Sequence, residues 1–298
     1  MSLNKPVYKL LDWINIEKLE WEMLSLNKNA ISLLEENPQE IDWVFLSENK
    51  NAIELLEENF YEGQDIIDWE SLSLNKNAIK LLKNNPDYID WDTLARNKNA
   101  IKIIEENFDK INWHSLSYNK NAIHLLEKNL DKINWDNLVE NKNAIHIIEE
   151  NFDKINSKYL SLNKNAVHLL ERNPEKINWQ FLSSNKNAIH LLKENPDKIN
   201  WNSLSNNPNA IELLKENPDK INWDNLSRNK NAISLLKENQ DKIDWYYLSS
   251  NPSIFELDYK QMRENNQSMY DDLIKEVMKP SRVFKNPNYD YLEELFGD

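Results

Sequence analysis

INWDNLSRNKNAISLLKENQDK, residues 221–242, decides the fold, because near-copies of it fill most of the 298-residue chain. Ala232, Ile233, Leu235 and Leu236 fall at i, i+1, i+3 and i+4, which is one face of a 3.6-residue helix and not the alternation of a strand. Trp223 and Leu226, three apart and followed by Ser227, mark a shorter helix on the other side of the Asn229-Lys230 corner. The stretch therefore predicts a small hairpin, with helix A before the corner and helix B after it.

Asparagine supplies the punctuation, since the chain holds only two glycines. Asn222 and Asn231 stand where helices A and B need N-caps, with side-chain oxygens able to accept from unpaired backbone N–H groups. Asn229 and Asn239 stand just past the helix ends, where a left-handed residue is expected and Asn substitutes for Gly. Proline follows the second of these in several copies (Pro38, Pro86, Pro174, Pro196, Pro218) and stops the helix.

Outward from this stretch the unit recurs at Trp21, Trp43, Trp69, Trp91, Trp113 and Trp135, then with Ser157 in place of Trp, then at Trp179, Trp201, Trp223 and Trp245. Counting each such residue as position 1 of its unit gives ten full units and a truncated eleventh. Four extra residues around Phe60–Gln64 lengthen the second unit. A single unit buries too few apolar side chains to offset the entropy of ordering it, so neighbours must share a continuous core. The expected fold is all-α: an α-solenoid of ten to eleven 22-residue two-helix repeats over residues 21–256, with an N-terminal half-repeat cap over 1–20 and a capping helix and tail over 257–298. With helices about 8 to 10 Å apart, the stack reads as a rod or superhelix on the order of 100 Å long. Its unit tryptophans are expected to be mostly buried between layers. In the tail, Tyr270, Leu273, Ile274, Val277 and Met278 trace an amphipathic helix expected to lie over the last hairpin, ended by Lys279-Pro280-Ser281-Arg282.

Val and Thr together occur only seven times, which argues against an extensive sheet. Net charge is -14 with pI near 5.0, a balance that repels phosphate backbones, so nucleic acid is not expected as a partner. The absence of cysteine excludes disulfides, thiolate metal sites and thiol nucleophiles. With no apolar leader and no run long enough for a membrane span, the chain reads as soluble and intracellular rather than secreted.

The pattern resembles the tryptophan-containing solenoid repeats of about 22 residues encoded in many copies by giant nucleocytoplasmic DNA viruses. The features that carry the likeness are LLDWINIEKLEW near the N-terminus, the recurrent NW..LS.NKNAI.LLEENPDKI, and a tail in which FELDY precedes a helix ending in PSR. Lys279 stands where the family's tails have His. The resemblance implies an α-solenoid of viral origin, in host cytoplasm or virion, and names no substrate.

Three sets of residues are candidate sites. The first is Asn27, Asn49, Asn75 and their equivalents at position 7, which reads chiefly as a structural bridge between units and secondarily as a polar ladder for a ligand. The Ser at position 5 gives way to Ala95 and Val139, so size rather than a hydroxyl is expected to matter there. The second set is His124, His146, His168 and His190 at position 12 of four consecutive units, on the exposed side of helix B. Layers about 9 Å apart are too far for a shared zinc, so these histidines form either a solvated stripe or a partner-binding stripe with charge changing near pH ~6.5. The third set is Phe108, Leu130 and Phe152, apolar where other units have Pro, each either folded back on its own hairpin or part of a strip for a protein partner. Ser157 would open a pocket beside this strip unless Tyr159 fills it. No Gly-rich phosphate loop, HExxH or His–carboxylate pair outside the repeat positions is present. The sequence thus predicts a non-catalytic scaffold with no cofactor and no metal, binding a protein partner on units four to eight. The alternative is a structural component of a virion or viral factory that self-assembles.

Overall fold

The computed structural model describes residues 6–59 and 67–279. It is all-helical apart from one two-stranded pair, as the repeat predicts. Two compact units divide the chain: Leu10–Phe255, which holds the repeats, and Met1–Lys9 with Glu256–Asp298.

Units one and three to ten each have three helical pieces rather than two. In the tenth, helix A spans Trp223–Ser227, helix B spans Ile233–Glu238, and a 3-10 turn at Gln240–Lys242 leads to the next unit. Helix A begins as expected, with the Asn222 side chain accepting from the Asn225 N–H. Helix B does not: its N-cap is Ala232, without a side-chain cap. Asn231 instead sends its amide to the Pro208 carbonyl of the preceding unit. The left-handed assignment is also corrected, since no described residue has positive φ. Asn239 sits at φ -132 and ψ 51, and its Nδ2 donates back to the Leu235 carbonyl, covering one of the carbonyls a helix C-terminus leaves unpaired. A proline at that boundary occupies the first position of the 3-10 turn, where its missing N–H and fixed φ are tolerated, as at Pro218.

The core lies on one row per unit. Leu226, Ala232 and Leu236 and their equivalents are fully buried, while Ile221 and its equivalents close the connector side. The unit tryptophans are only half-buried, contrary to expectation. Each of seven indole faces is covered by the lysine of its own 3-10 turn, as with Lys132 Nζ 4.7 Å from the Trp113 ring centre. An indole at the seam of connector and helix A thus needs only one apolar side, and the inter-unit core is left to leucine and alanine.

The stack is not a rod. Helix A of the first unit, Trp21–Leu26, packs against helix A of the last, Trp245–Ser249, and the repeat unit closes into a ring. Its seam repeats the bonds of the interior joints. Asn49 Nδ2 donates to the Ser25 and Asn27 carbonyls at 2.8 and 3.0 Å, and Asn27 Nδ2 donates to Ser249 and Asn251 at 2.9 and 3.0 Å. Asp42 N–H donates to Ser25 Oγ, and Glu20 N–H donates to Ser249 Oγ, both at 2.9 Å. Lys18 lies 5.0 Å from the Trp245 ring centre, as a connector lysine does in other units.

The eleventh unit is therefore composite: Trp245–Ser249 supplies its helix A, and the 3-10 turn Ile16–Lys18 from the other end supplies its connector. After helix A the sequence continues not into a helix B but into strand β2 (Phe255–Leu257), which pairs with β1 (Tyr8–Leu10). Residues read as an N-terminal cap and as a truncated last unit are two parts of one repeat, and the ring has no terminal unit to cover. The helix Tyr259–Val277 follows, N-capped by Asp258, with Ile274, Val277 and Met278 exposed. The tail beyond Lys279, the Phe60–Gln64 insertion, and the side chains of Ser157, Tyr270 and Leu273 lie outside the described residues.

Candidate functional site

Curvature decides which edge of the ring faces its axis. At the A–B corner, successive units are one asparagine apart: Asn99 Nδ2, for example, donates directly to the Lys76 carbonyl at 2.8 Å. That reach brings backbones to roughly 6 to 7 Å, against the ~8 to 10 Å of packed helices. Successive A helices also lie against one another, whereas successive B helices approach less closely. Wedge-shaped units closing a ring must place their narrow side inward, so the corner faces the axis and helix B the periphery.

Position 7 resolves as a structural bridge. All eleven asparagines there are at most 4 % exposed. Each amide donates to the preceding unit, and each Oδ1 accepts from the N–H two residues on, as Asn141 does with Ser117, Asn119 and Asn143. Both ends of the side chain are occupied, leaving nothing for a ligand. The position-5 serine is more than a matter of size: Ser227 Oγ donates to the Trp223 carbonyl and accepts from the Asp244 N–H. Units with Ala95 and Val139 keep the packing and lack this bond. Buried and doubly engaged, the hydroxyl is a local clamp.

The histidine stripe lies on the periphery, and each imidazole bonds the unit before it. Nε2 of His124, His146, His168 and His190 lies 3.0, 2.7, 2.8 and 2.7 Å from Oε1 of Glu105, Glu127, Glu149 and Glu171. Lys80 and Glu57 make the same pairing at 3.6 Å, so a lysine at position 12 can join units as the histidines do. Among the described residues no group of three or more His, Asp or Glu side chains gathers as a metal would require.

The apolar strip is divided. Phe108 and Leu130 are 38 % and 41 % exposed, and Phe152 is half-buried. Phe108 meets Trp113 edge to face at 5.3 Å, so it folds partly onto its neighbouring indole. Lys176, which has no tryptophan in its unit, lies 4.2 Å from the Phe152 ring centre instead. Tyr159 stacks on Phe181 of the following unit at 5.6 Å.

The feature that the sequence analysis passed over is at position 8. Units one to eight carry lysine there without interruption, from Lys28 to Lys186, and then Pro208, Lys230 and Pro252 complete the circle. Because the corner faces the axis, these side chains crowd: Lys28 through Lys164 are half-buried, while Lys186 and Lys230, beside Pro208, are exposed. Burial, followed by Lys28, Lys76 and Lys98, pushes the Lys50 ammonium below the usual lysine range. The same holds for Lys120, through burial and then Lys142, Lys98, Lys164 and Lys76. For Lys164 the leading cause is Lys186, then Lys142. Lysines two units apart thus feel one another. Between units two and five the row borders a concavity of about 400 Å³, lined by Lys50, Lys76, Lys98, Lys120, Arg96, Glu48, Tyr118, Leu74, Asn75 and Asn97. Arg96 lies 4.9 Å from the Tyr118 ring centre, and burial raises the Tyr118 phenol above its usual range, with Glu140 adding to it.

No described helix is long and apolar enough to cross a membrane. No protein-family model matches this chain, no curated protein is similar to it, and no solved structure matches it.

Proposed function

We propose that the chain is a non-catalytic repeat scaffold of viral origin that mediates protein–protein interaction. The carrying observation is a division of labour within the repeat. Positions 4, 7, 10 and 14 hold nearly the same residues around the whole ring, while positions 2, 6, 12 and 18, exposed or half-buried where described, differ from unit to unit. A fixed skeleton with a varied display is how repeat proteins present binding surfaces. The apolar part of that display lies on units four to six, where Phe108 and Leu130 are exposed beside the peripheral histidine stripe; together with Phe152 these residues are the proposed contact. Closure bears on the alternative, a self-assembling virion or factory component. An open solenoid polymerises through its unpaired end units, and a ring offers only its faces.

The test compares the wild type with a Phe108→Ser, Leu130→Ser and Phe152→Ser variant in a quantitative pull-down from expressing cells, with a melting curve for each. The reading expects one defined partner to be lost at least tenfold while most of the melting temperature is kept. Equal capture by the folded variant, or co-sedimentation of both with particles, overturns it.

A further inference from the structure

We propose that the corner concavity of units two to five is a binding site for a compact oligophosphate, a small molecule carrying several phosphate groups. This site lies on the axial edge and is independent of the peripheral surface discussed above. Its volume, about 400 Å³, is that of a small-molecule pocket. Four lysines and Arg96 border it against one carboxylate, Glu48. None of these lysines has a carboxylate at ion-pair distance among the described residues, and none has a further, unprinted partner.

Several other cations of this molecule are paired. On the periphery the histidines and Lys80 are each matched with a glutamate of the preceding unit, and the connector lysines sit on aromatic rings. A chain of net charge -14 has acidic residues in excess, yet Glu48 alone among them borders this concavity. Like charges held half-buried with no counter-ion make a site that gains most when an anion enters. The repulsion shared by Lys50, Lys120 and their neighbours is the charge that such an anion would neutralise.

Charge density selects phosphate over carboxylate. Five cations around a space this small are matched by a few groups of about -1.5 to -2 each, the charge of a phosphate monoester, whereas a carboxylate brings one negative charge in a similar volume. Lysine suits this role, because its ammonium is a point charge with three rotatable donors that adapt to phosphate oxygens at differing angles. A long nucleic-acid strand is disfavoured: each nucleotide carries one charge and a bulky base, and the strand would have to pass the acidic outer surface.

The probe is inorganic tripolyphosphate, titrated into the full-length chain by calorimetry at about 0.15 M salt, where surface steering is screened within ~8 Å. Saturable binding near one per chain is expected, weakened at least tenfold in Lys76→Gln and Lys98→Gln. Lys186→Gln and Lys230→Gln, exposed lysines of the same row outside the concavity, should stay within about twofold of wild type. Removing a crowded lysine relieves repulsion, so the two site variants should melt no lower than wild type, and far-UV circular dichroism checks that they are folded. Three results overturn the proposal: no saturable binding, equal loss in the control variants, or citrate or a single-stranded oligonucleotide binding as tightly as tripolyphosphate.

Discussion

The seam of the ring and its interior joints are made of the same bonds, although the chain runs continuously through every other unit and is interrupted in the eleventh. Interior Asn49 and seam Asn27 each reach two carbonyls of the unit before, at distances within 0.1 Å of each other. Around the seam the usual corner residues have changed, with Pro252, Ser253 and Ile254 standing where Lys, Asn and Ala are common. Asn29 nevertheless donates to the Pro252 carbonyl at 2.9 Å, just as Asn51 donates to Lys28 at 2.8 Å. Closure therefore rests on the backbone, on positions 5 and 7 and on the position-9 amide of Asn29, and the corner residues Pro252 and Ser253 take part through their backbone.

Substitution at position 7 should break this equivalence most sharply. Asn141→Ala removes the donor to the Ser117 carbonyl and the acceptor of the Asn143 N–H in a buried row, while the Asn119 carbonyl keeps the Ala122 N–H; at about 1 to 3 kcal/mol for each of the first two groups the loss is roughly 2 to 6 kcal/mol. Asn27→Ala should cost the same in urea unfolding. A seam variant markedly milder than the interior one would mean that the ring stands open in solution.

A smaller effect is expected from the half-buried indoles. Trp113→Ala and Trp245→Ala should each cost about 2 kcal/mol, below the ~3 to 5 kcal/mol of a fully buried aromatic, because one face meets a lysine rather than core. Thermal melts of the two would sharpen the comparison by showing whether Lys18, arriving from the far end of the chain, covers its ring as well as Lys132 does. The smallest difference concerns position 5: Ser117→Ala and Ser249→Ala each remove the acceptor of one N–H, Asn134 or Glu20, for about 1 kcal/mol. Denaturant midpoints equal to wild type would show that water replaces the hydroxyl.

Much of this was legible in the residues. Period, helix class, the N-cap of helix A and the bridging asparagine follow from apolar spacing and from the need to pair buried amides. The ring does not, because a repeat fixes how units join but not the small rotation at each joint, and eleven such rotations decide whether the ends meet. A clue was nonetheless present: Ile16-Glu17-Lys18-Leu19-Glu20 supplies the connector that the Trp245 unit lacks. Reading one incomplete unit as a cap and the other as a truncated last repeat, rather than as one unit divided, hid the closure. Helix B's start was misplaced because Asn231, well suited to cap it, has a stronger demand on its amide from the unit before. Exposure of Phe108 and Leu130 was legible from apolar residues in a loop, whereas the contact of Phe152 with Lys176 depends on the missing tryptophan nearby. The axial lysines stood in plain view in each NKNA. A lysine in a corner looks solvated until curvature gathers nine of them toward one axis.

The divided eleventh unit also changes how the molecule should lose its structure. A linear array of repeats melts from its outermost members, each of which has a single neighbour, and amide exchange is fastest there. In this circle every repeat has a neighbour on both sides, so there is no preferred place for fraying to begin. Opening anywhere forfeits two interfaces at once and turns the remainder into the linear array that frays, so the first rupture is the costly one. The first and last repeats, ordinarily the weakest part of a repeat protein, are here each other's neighbours.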